Sequence, residues 1–191
     1  MLATFKLIKS DNSKLDQMVK DIIALTKKEV LVGVPEDKST RDPDIWFEKG
    51  SIQVRKPKIN NATLAAIHDN GSPKQNIPAR PFMKPGIAKA QDRINKGMLQ
   101  AAKAQLNKDS AGVAKAFEKV GLVAQAGIRN VINEGEGFSP LQRSTLLGRL
   151  RRRKAAKKWT KDKRENVMES MHPLIDTGQL RNSISYVVVD K

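Results

Sequence analysis

The chain has 191 residues, and its 36 Lys and Arg against 20 Asp and Glu give a formal charge of +16 with both histidines neutral. Because it has no cysteine, the sequence excludes disulfide frameworks, thiol nucleophiles, iron–sulfur clusters and the usual structural zinc sites. No apolar run approaches the roughly 20 residues that span a bilayer, and the N-terminus is not typical of a secretory signal. We therefore expect one soluble domain over residues 1–191, in a reducing cytosol and with no membrane partner.

The two ends of the chain predict a small sheet. Residues 2–9 alternate between polar and apolar types, which favours a short strand, and Ser13 then opens a helix with one apolar face. The β-branched run at 30–34 does not alternate, which is typical of a central strand covered on both faces. A second β-branched run at 184–189 is predicted to pair with it in the same sheet.

The segment after the first β-branched run differs in character. Residues 36–60 are polar and turn-rich, which predicts an arm that leaves the core as a hairpin or loop. A short helix over 62–68, capped by Asn61, follows. Three prolines within 77–85 predict an extended stretch there.

Longer helices are predicted in the second half. The 3.6-residue spacing of apolar side chains favours helices over 86–106 and 110–133, arranged as an antiparallel pair, and Ser139 with the proline after it favours a helix start. Together the elements predict an α+β fold, in which a small mixed or antiparallel sheet packs against long helices.

Most of the positive charge lies in residues 143–164. This segment holds one acidic residue and eleven basic ones: Arg143, Arg149, Arg151, Arg152, Arg153, Lys154, Lys157, Lys158, Lys161, Lys163 and Arg164. Such density favours contact with a phosphate backbone or an acidic protein surface, and a solvated loop is the alternative. No helix-turn-helix, zinc-finger or RNA-binding signature accompanies it, so sequence-specific reading is not expected.

The residues offer little for catalysis. His68 and His172 are the two histidines, no His-x-x-x-His pair exists, and no Gly-x-Ser-x-Gly elbow exposes a nucleophile. A nuclease is ranked third, because the carboxylates near Asp44 and Glu48 lack the spacing of a metal-binding set. We therefore expect no enzyme, no metal and no cofactor.

Three separated segments carry a resemblance to a known family. Residues 61–71, 76–86 and 173–186, in this order, resemble the neck or tail-completion proteins of long-tailed bacteriophages, which include the Mu-like virion morphogenesis proteins. The resemblance spans residues 30–189.

The resemblance implies a structural subunit of the virion, made in the host cytoplasm, that forms a ring at the head–tail junction. Its partners would be further copies of itself, with a hexamer favoured over a dodecamer, other head-completion and tail-terminator proteins, and DNA in the channel lumen. The alternative is a nonspecific nucleic-acid-binding protein. The motif residues are expected to maintain the fold, with Phe82 in the core and Asp176 and Thr177 capping a turn: Gly71, Pro78, Pro81, Phe82, Asp176, Thr177, Gly178 and Leu180.

Overall fold

A computed structural model describes residues 13–48, 51–56, 58–153 and 158–191, and the strand predicted over 2–9 lies outside them. The fold is α+β, as expected. In chain order the elements of the described residues are α1 (Ser13–Leu25), β1 (Lys28–Gly33), β2 (Asp44–Glu48), β3 (Ser51–Arg55), α2 (Asn61–Asn70), α3 (Met83–Leu106), α4 (Ser110–Glu134), α5 (Arg143–Arg152), α6 (Lys161–Glu169), α7 (Gln179–Ser183) and β4 (Ser185–Asp190).

The long helices α3 and α4 pack against each other along their length. The chain turns between them at Lys108, which adopts a left-handed conformation with φ of 58°. Asp109 then caps α4, because its carboxylate accepts a hydrogen bond of 2.8 Å from the N–H of Gly112. Small residues allow the close approach, since a Cβ added at Gly86 would lie 2.7 Å from the backbone nitrogen of Ile128.

The terminal strand β4 pairs with β1 in an antiparallel ribbon, which confirms the predicted pairing. Val30 lies opposite Val188 in this register, and the ribbon packs on α4. The prediction that β1 is central and covered on both faces is wrong for the described residues, where β4 is its one partner and Leu31 is exposed. One face of a two-stranded ribbon lies on the helices and the other remains open, and a β-branched run does not distinguish this from full cover.

Strands β2 and β3 form a separate antiparallel hairpin in the segment predicted to leave the core. Ile45 lies opposite Val54, and Ile52 shares their face because it is two residues from Val54. These three side chains are exposed by 66%, 57% and 69% in that order. We call this apolar surface of Ile45, Ile52 and Val54 the hairpin face.

Helix α1 forms where the spacing predicts it, but its apolar side is largely open. Leu15, Val19 and Ile22 are each about half exposed or more within the described structure. The buried residue of this helix is Asp21, whose carboxylate accepts hydrogen bonds of 2.5 and 2.6 Å from Lys108. This ion pair ties α1 to the turn after α3, and Leu25 at the end of α1 packs against a second core cluster that includes Phe117.

The main core cluster joins residues that are far apart in the chain. Phe82, Ile128, Ile132 and Ile184 are completely buried in it. Smaller contributions come from Ala65, Val131, Leu174 and Leu180. The expectation that Phe82 enters the core is confirmed.

Two predicted helix starts are displaced. Helix α3 begins at Met83 instead of residue 86, because Pro85 occupies its first turn, where the missing N–H has no partner to lose. Helix α2 is capped by Asn60, whose side chain accepts a hydrogen bond from the N–H of Thr63. Asn61 is instead buried, and its amide donates to the carbonyl of Thr40.

A third helix start was predicted at Ser139, but α5 begins at Arg143 with Gln142 as its cap. The reason is a tertiary contact. The guanidinium of Arg80 donates hydrogen bonds to the carbonyls of Ser139 and Pro140, at 2.8 and 3.0 Å. The stretch before α5 is therefore not helical, and its last residue, Gln142, has an extended backbone.

Candidate partner interface on the basic helical pair

Helices α5 and α6, which we call the basic helical pair, have a small core of their own. Leu150 and Met168 are buried between them, and the half-buried Trp159 packs against this cluster. The described part of the basic segment is therefore helical and packed, rather than a solvated loop. Lys154 and Lys157 lie outside the described residues.

Arg149 holds the pair to the following loop. One of its nitrogens donates hydrogen bonds of 2.9 and 2.8 Å to the carbonyls of His172 and Ile175. Its side chain is only 12% exposed, and burial lowers its pKa, an effect that the nearby Asp176 opposes. The structure thus places Arg149 inside the protein, where it positions the basic helical pair.

Two further arginines of the segment form intramolecular ion pairs. Arg152 pairs with Asp176, and Arg143 pairs with Glu165 at 2.8 Å, which links α5 to α6. The partners lie 24 and 22 residues away, a separation that no local pattern in the sequence could reveal.

The Arg152 pair also corrects the role expected of Asp176. Its carboxylate binds arginine and does not cap the turn into α7. The cap of α7 is Gly178, in a left-handed conformation with φ of 80° and with no side-chain cap bond. Thr177 accepts only a long bond of 3.5 Å, from the N–H of Gln179.

The remaining described cations of the segment are exposed: Arg151, Arg153, Lys158, Lys161, Lys163 and Arg164. Three of them lie in the first turn of α6 beside one acidic residue, Asp162, at the end of the helix where the dipole is positive and cations are unfavourable. An anion bound to this surface would relieve both the mutual repulsion of these charges and their conflict with the dipole.

Trp159 has a partner within the protein. The ammonium of Lys163 lies 5.4 Å from the centre of the Trp159 ring, within range of a cation–π interaction. Since the ring also packs in the small core, its surface for stacking on a nucleic-acid base is reduced. The exposed surface offers charge, with little aromatic area.

The first two motif segments bind each other. Asp69 accepts hydrogen bonds from the backbone N–H groups of Phe82 and Met83, at 2.7 and 3.0 Å, and so satisfies the start of α3. Gly71 has φ of 78°, and a Cβ there would lie 2.8 Å from the nitrogen of Ala79. Glycine is therefore required at position 71 by both backbone conformation and space.

Arg80 links these motifs to the basic helical pair. It is buried, with 5% exposure, and its two carbonyl acceptors lie in the stretch that leads into α5. His68 is nearby: burial, then the positive charges of Arg80, Arg149 and Arg41, lowers its pKa to about 4. The Nδ1 atom of His68 is buried without a hydrogen-bond partner. His68 is therefore neutral at physiological pH.

The third motif segment meets the first two in the main core. Leu174 and Leu180 are buried in the same cluster as Phe82, while Pro78 and Pro81 remain exposed. The sequence singled out Phe82 and Leu180 but missed Asp69 and Arg80. A polar residue that binds backbone groups more than ten residues away has no local signal.

Metal-ligand clusters and membrane-spanning helices were also sought among the described residues. They include no group of three or more His, Cys, Asp or Glu side chains arranged to hold a metal ion. None of the helices in the described ranges has the length and apolar character needed to cross a bilayer.

No family model matches the chain, and no solved structure matches it. The chain is similar to an uncharacterized protein of Methanocaldococcus jannaschii, with 49% identity over 55 residues. This match covers 29% of the chain and 39% of the archaeal protein.

Proposed function

We propose that the chain is a structural subunit of a bacteriophage virion that assembles as a ring at the head–tail junction around the DNA channel. The observation that carries the proposal is the joining of the three segments that resemble neck and tail-completion proteins. Asp69 and Gly71 of the first segment contact the second, and Phe82 of the second shares its core with Leu174 and Leu180 of the third. Residues that resemble one family in three places thus form one packed unit, as a shared fold requires.

The hairpin face supports assembly between copies. It exposes three β-branched side chains on a hairpin whose strands pair only with each other in the described structure. An apolar surface of this kind, set away from the core, is typical of an interaction site. In a ring the contact is heterologous, so the hairpin of one copy would lie on a different surface of the next.

The basic helical pair supports an anionic partner. We favour an acidic surface on an adjoining ring over DNA, because a lumen that bound DNA tightly at many points would impede its passage. Both contacts would weaken as salt rises, since the Debye length falls from about 10 Å at 0.1 M to about 3 Å at 1 M.

Light scattering and negative-stain imaging of the purified chain, alone and mixed with tails that lack it, test the assembly. We expect a ring in solution or a tail-bound complex. The double variant Ile45→Lys/Ile52→Lys should lose it, because two buried charges would have no partners. Met98→Lys/Leu99→Lys, which adds the same charges at exposed apolar positions of α3, is the control. A monomer that binds no tail, or a hairpin variant that still assembles, would contradict the proposal.

A nonspecific nucleic-acid-binding protein is the second candidate, favoured by the exposed cations of the basic helical pair. Fluorescence anisotropy with duplex DNA, measured over a range of salt, separates the two. The variant to compare is Arg151→Ala/Arg153→Ala/Lys161→Ala, and the control replaces three exposed lysines elsewhere: Lys74→Ala/Lys96→Ala/Lys115→Ala.

If DNA is the partner, the first variant should lower the slope of log K against log salt by up to about 3, whereas the control should change it little. If an acidic ring is the partner, the first variant should fail to join heads to tails and the control should succeed. Normal yields of infectious particles from both variants, with an unchanged slope, would remove the basic helical pair from either role.

A further inference from the structure

A groove of about 350 Å³ is lined by residues of α4 and α7. Its polar lining consists of two guanidinium groups and four side-chain amides: Gln125, Arg129, Asn130, Asn133, Arg181 and Asn182. The function proposed above does not use this groove.

Neutral oxygens hold both arginines in place. Arg129 donates hydrogen bonds to the carbonyls of Asn182 and Ile184, at 3.1 and 2.7 Å. Arg181 donates to the side-chain oxygens of Asn133, at 3.1 Å, and Asn182, at 3.3 Å. No carboxylate lines the groove among the described residues, so the two positive charges have no counter-charge within it.

The two guanidinium groups are close enough to affect each other. Burial lowers the pKa of Arg129, and the positive charge of Arg181 lowers it further. A carboxylate bound in the groove would bring a negative charge to both guanidinium groups and would reduce the repulsion between them.

The apolar part of the lining limits which kinds of anion fit the groove. Leu122 is 56% exposed, and it lines the groove with Ala126 beside the polar groups. A carboxylate on a short hydrocarbon stem would use both parts of the groove, whereas inorganic phosphate has no atoms to place against Leu122.

We propose that this groove binds a carboxylate carried on a short apolar stem. The carboxylate could belong to a free organic acid or to an acidic side chain on another protein, since the chemistry at the groove is the same. The two sources differ in whether a peptide backbone adds to the affinity.

Titrations of the full chain, followed by NMR of the side-chain amides, test the proposal. The probes are glutarate, its neutral analogue glutaramide, inorganic phosphate, and the peptides acetyl-Leu-Glu-amide and acetyl-Leu-Gln-amide. Glutarate should change the NMR chemical shifts of the side-chain amides of Asn130 and Asn133, and the change should saturate as glutarate is added. Arg181→Gln should weaken the binding of glutarate at least about tenfold. Arg93→Gln, which removes an exposed charge of α3, should leave it within about twofold.

The acidic peptide binding more tightly than glutarate would support a protein source, and the reverse would support a free acid. Glutaramide or the Gln peptide binding as well as its acidic counterpart would overturn the proposal. So would tighter binding of phosphate, an absence of saturable shifts with every probe, or equal affinity in a folded Arg181→Gln variant. The melting curve of each variant establishes that it is folded.

Discussion

Gly86→Ala should destabilise the protein although it replaces glycine with the best helix former. Gly86 lies in the first turns of α3, where α3 crosses α4. The added Cβ would lie 2.7 Å from the backbone nitrogen of Ile128 and nearer still to its Cα. Because the obstacle is backbone, a side-chain rotation cannot remove it, and the two helices would have to separate.

The magnitude is a balance of two opposing effects. Overpacking of this kind costs about 1–3 kcal/mol, and the better helix propensity of alanine returns up to about 1 kcal/mol. We therefore expect a net loss of about 1–2 kcal/mol in the free energy of unfolding. For a chain of this size that corresponds to a decrease of roughly 2–8 °C in Tm.

Gly148→Ala is the matched control. Gly148 lies within α5, and a Cβ there would meet open space. The same substitution should therefore stabilise the protein by up to about 1 kcal/mol, since only the propensity term acts. Urea unfolding followed by far-UV circular dichroism measures both variants. The reasoning would be refuted if Gly86→Ala were as stable as the wild type, or if both variants shifted in the same direction.

Three other outcomes are expected. The folded-state pKa of His68, about 4, lies below its ordinary value of 6.5, so its contribution to stability is present above pH 6.5 and is lost as pH falls towards 4. At pH 5 the loss in the free energy of unfolding is at most about 2 kcal/mol, and solvent screening makes it smaller. The variant His68→Gln should lack this pH-dependent loss. Parallel curves of stability against pH for the variant and the wild type would argue against this role of His68. Asp69→Ala should lower the free energy of unfolding in urea by about 1–2 kcal/mol, because two N–H groups at the start of α3 lose their acceptor. The control Asp92→Ala, at an exposed position, should cost little. Equal effects of the two variants would count against the capping role of Asp69. Deletion of residues 184–191 should abolish soluble folding, whereas removal of Lys191 alone should not, and an unchanged Tm in the longer deletion would disprove it.

The hydrophobic pattern was most informative where an element is long or its burial is complete. The 3.6-residue spacing predicted α3 and α4 closely, and the β-branched runs predicted that β4 pairs with β1. Phe82 was predicted in the core because the prolines around it hold an apolar residue in an extended segment. These features depend on local repetition or on a strong local preference.

The hydrophobic pattern did not predict helix boundaries that are set by tertiary hydrogen bonds. The start of α5 moved because Arg80 binds the carbonyls of Ser139 and Pro140, nearly 60 residues along the chain. Asp176 is of a residue type that often caps helices, yet its carboxylate forms an ion pair with Arg152. A local sequence window includes only one partner of each such bond.

The sequence by itself determined the α+β class, the long helices, an arm over residues 36–60 that is either a hairpin or a loop, and the concentration of charge in residues 143–164. Only the tertiary structure decided which of those charges are available to a partner. Arg149 is buried against two carbonyls, while Arg151 and Arg153, two and four residues away, are exposed. The composition of the segment does not distinguish one cation from another. In the folded protein, a cation that hydrogen-bonds to buried acceptors is no longer exposed to solvent. The positions of those acceptors depend on the fold of the whole chain.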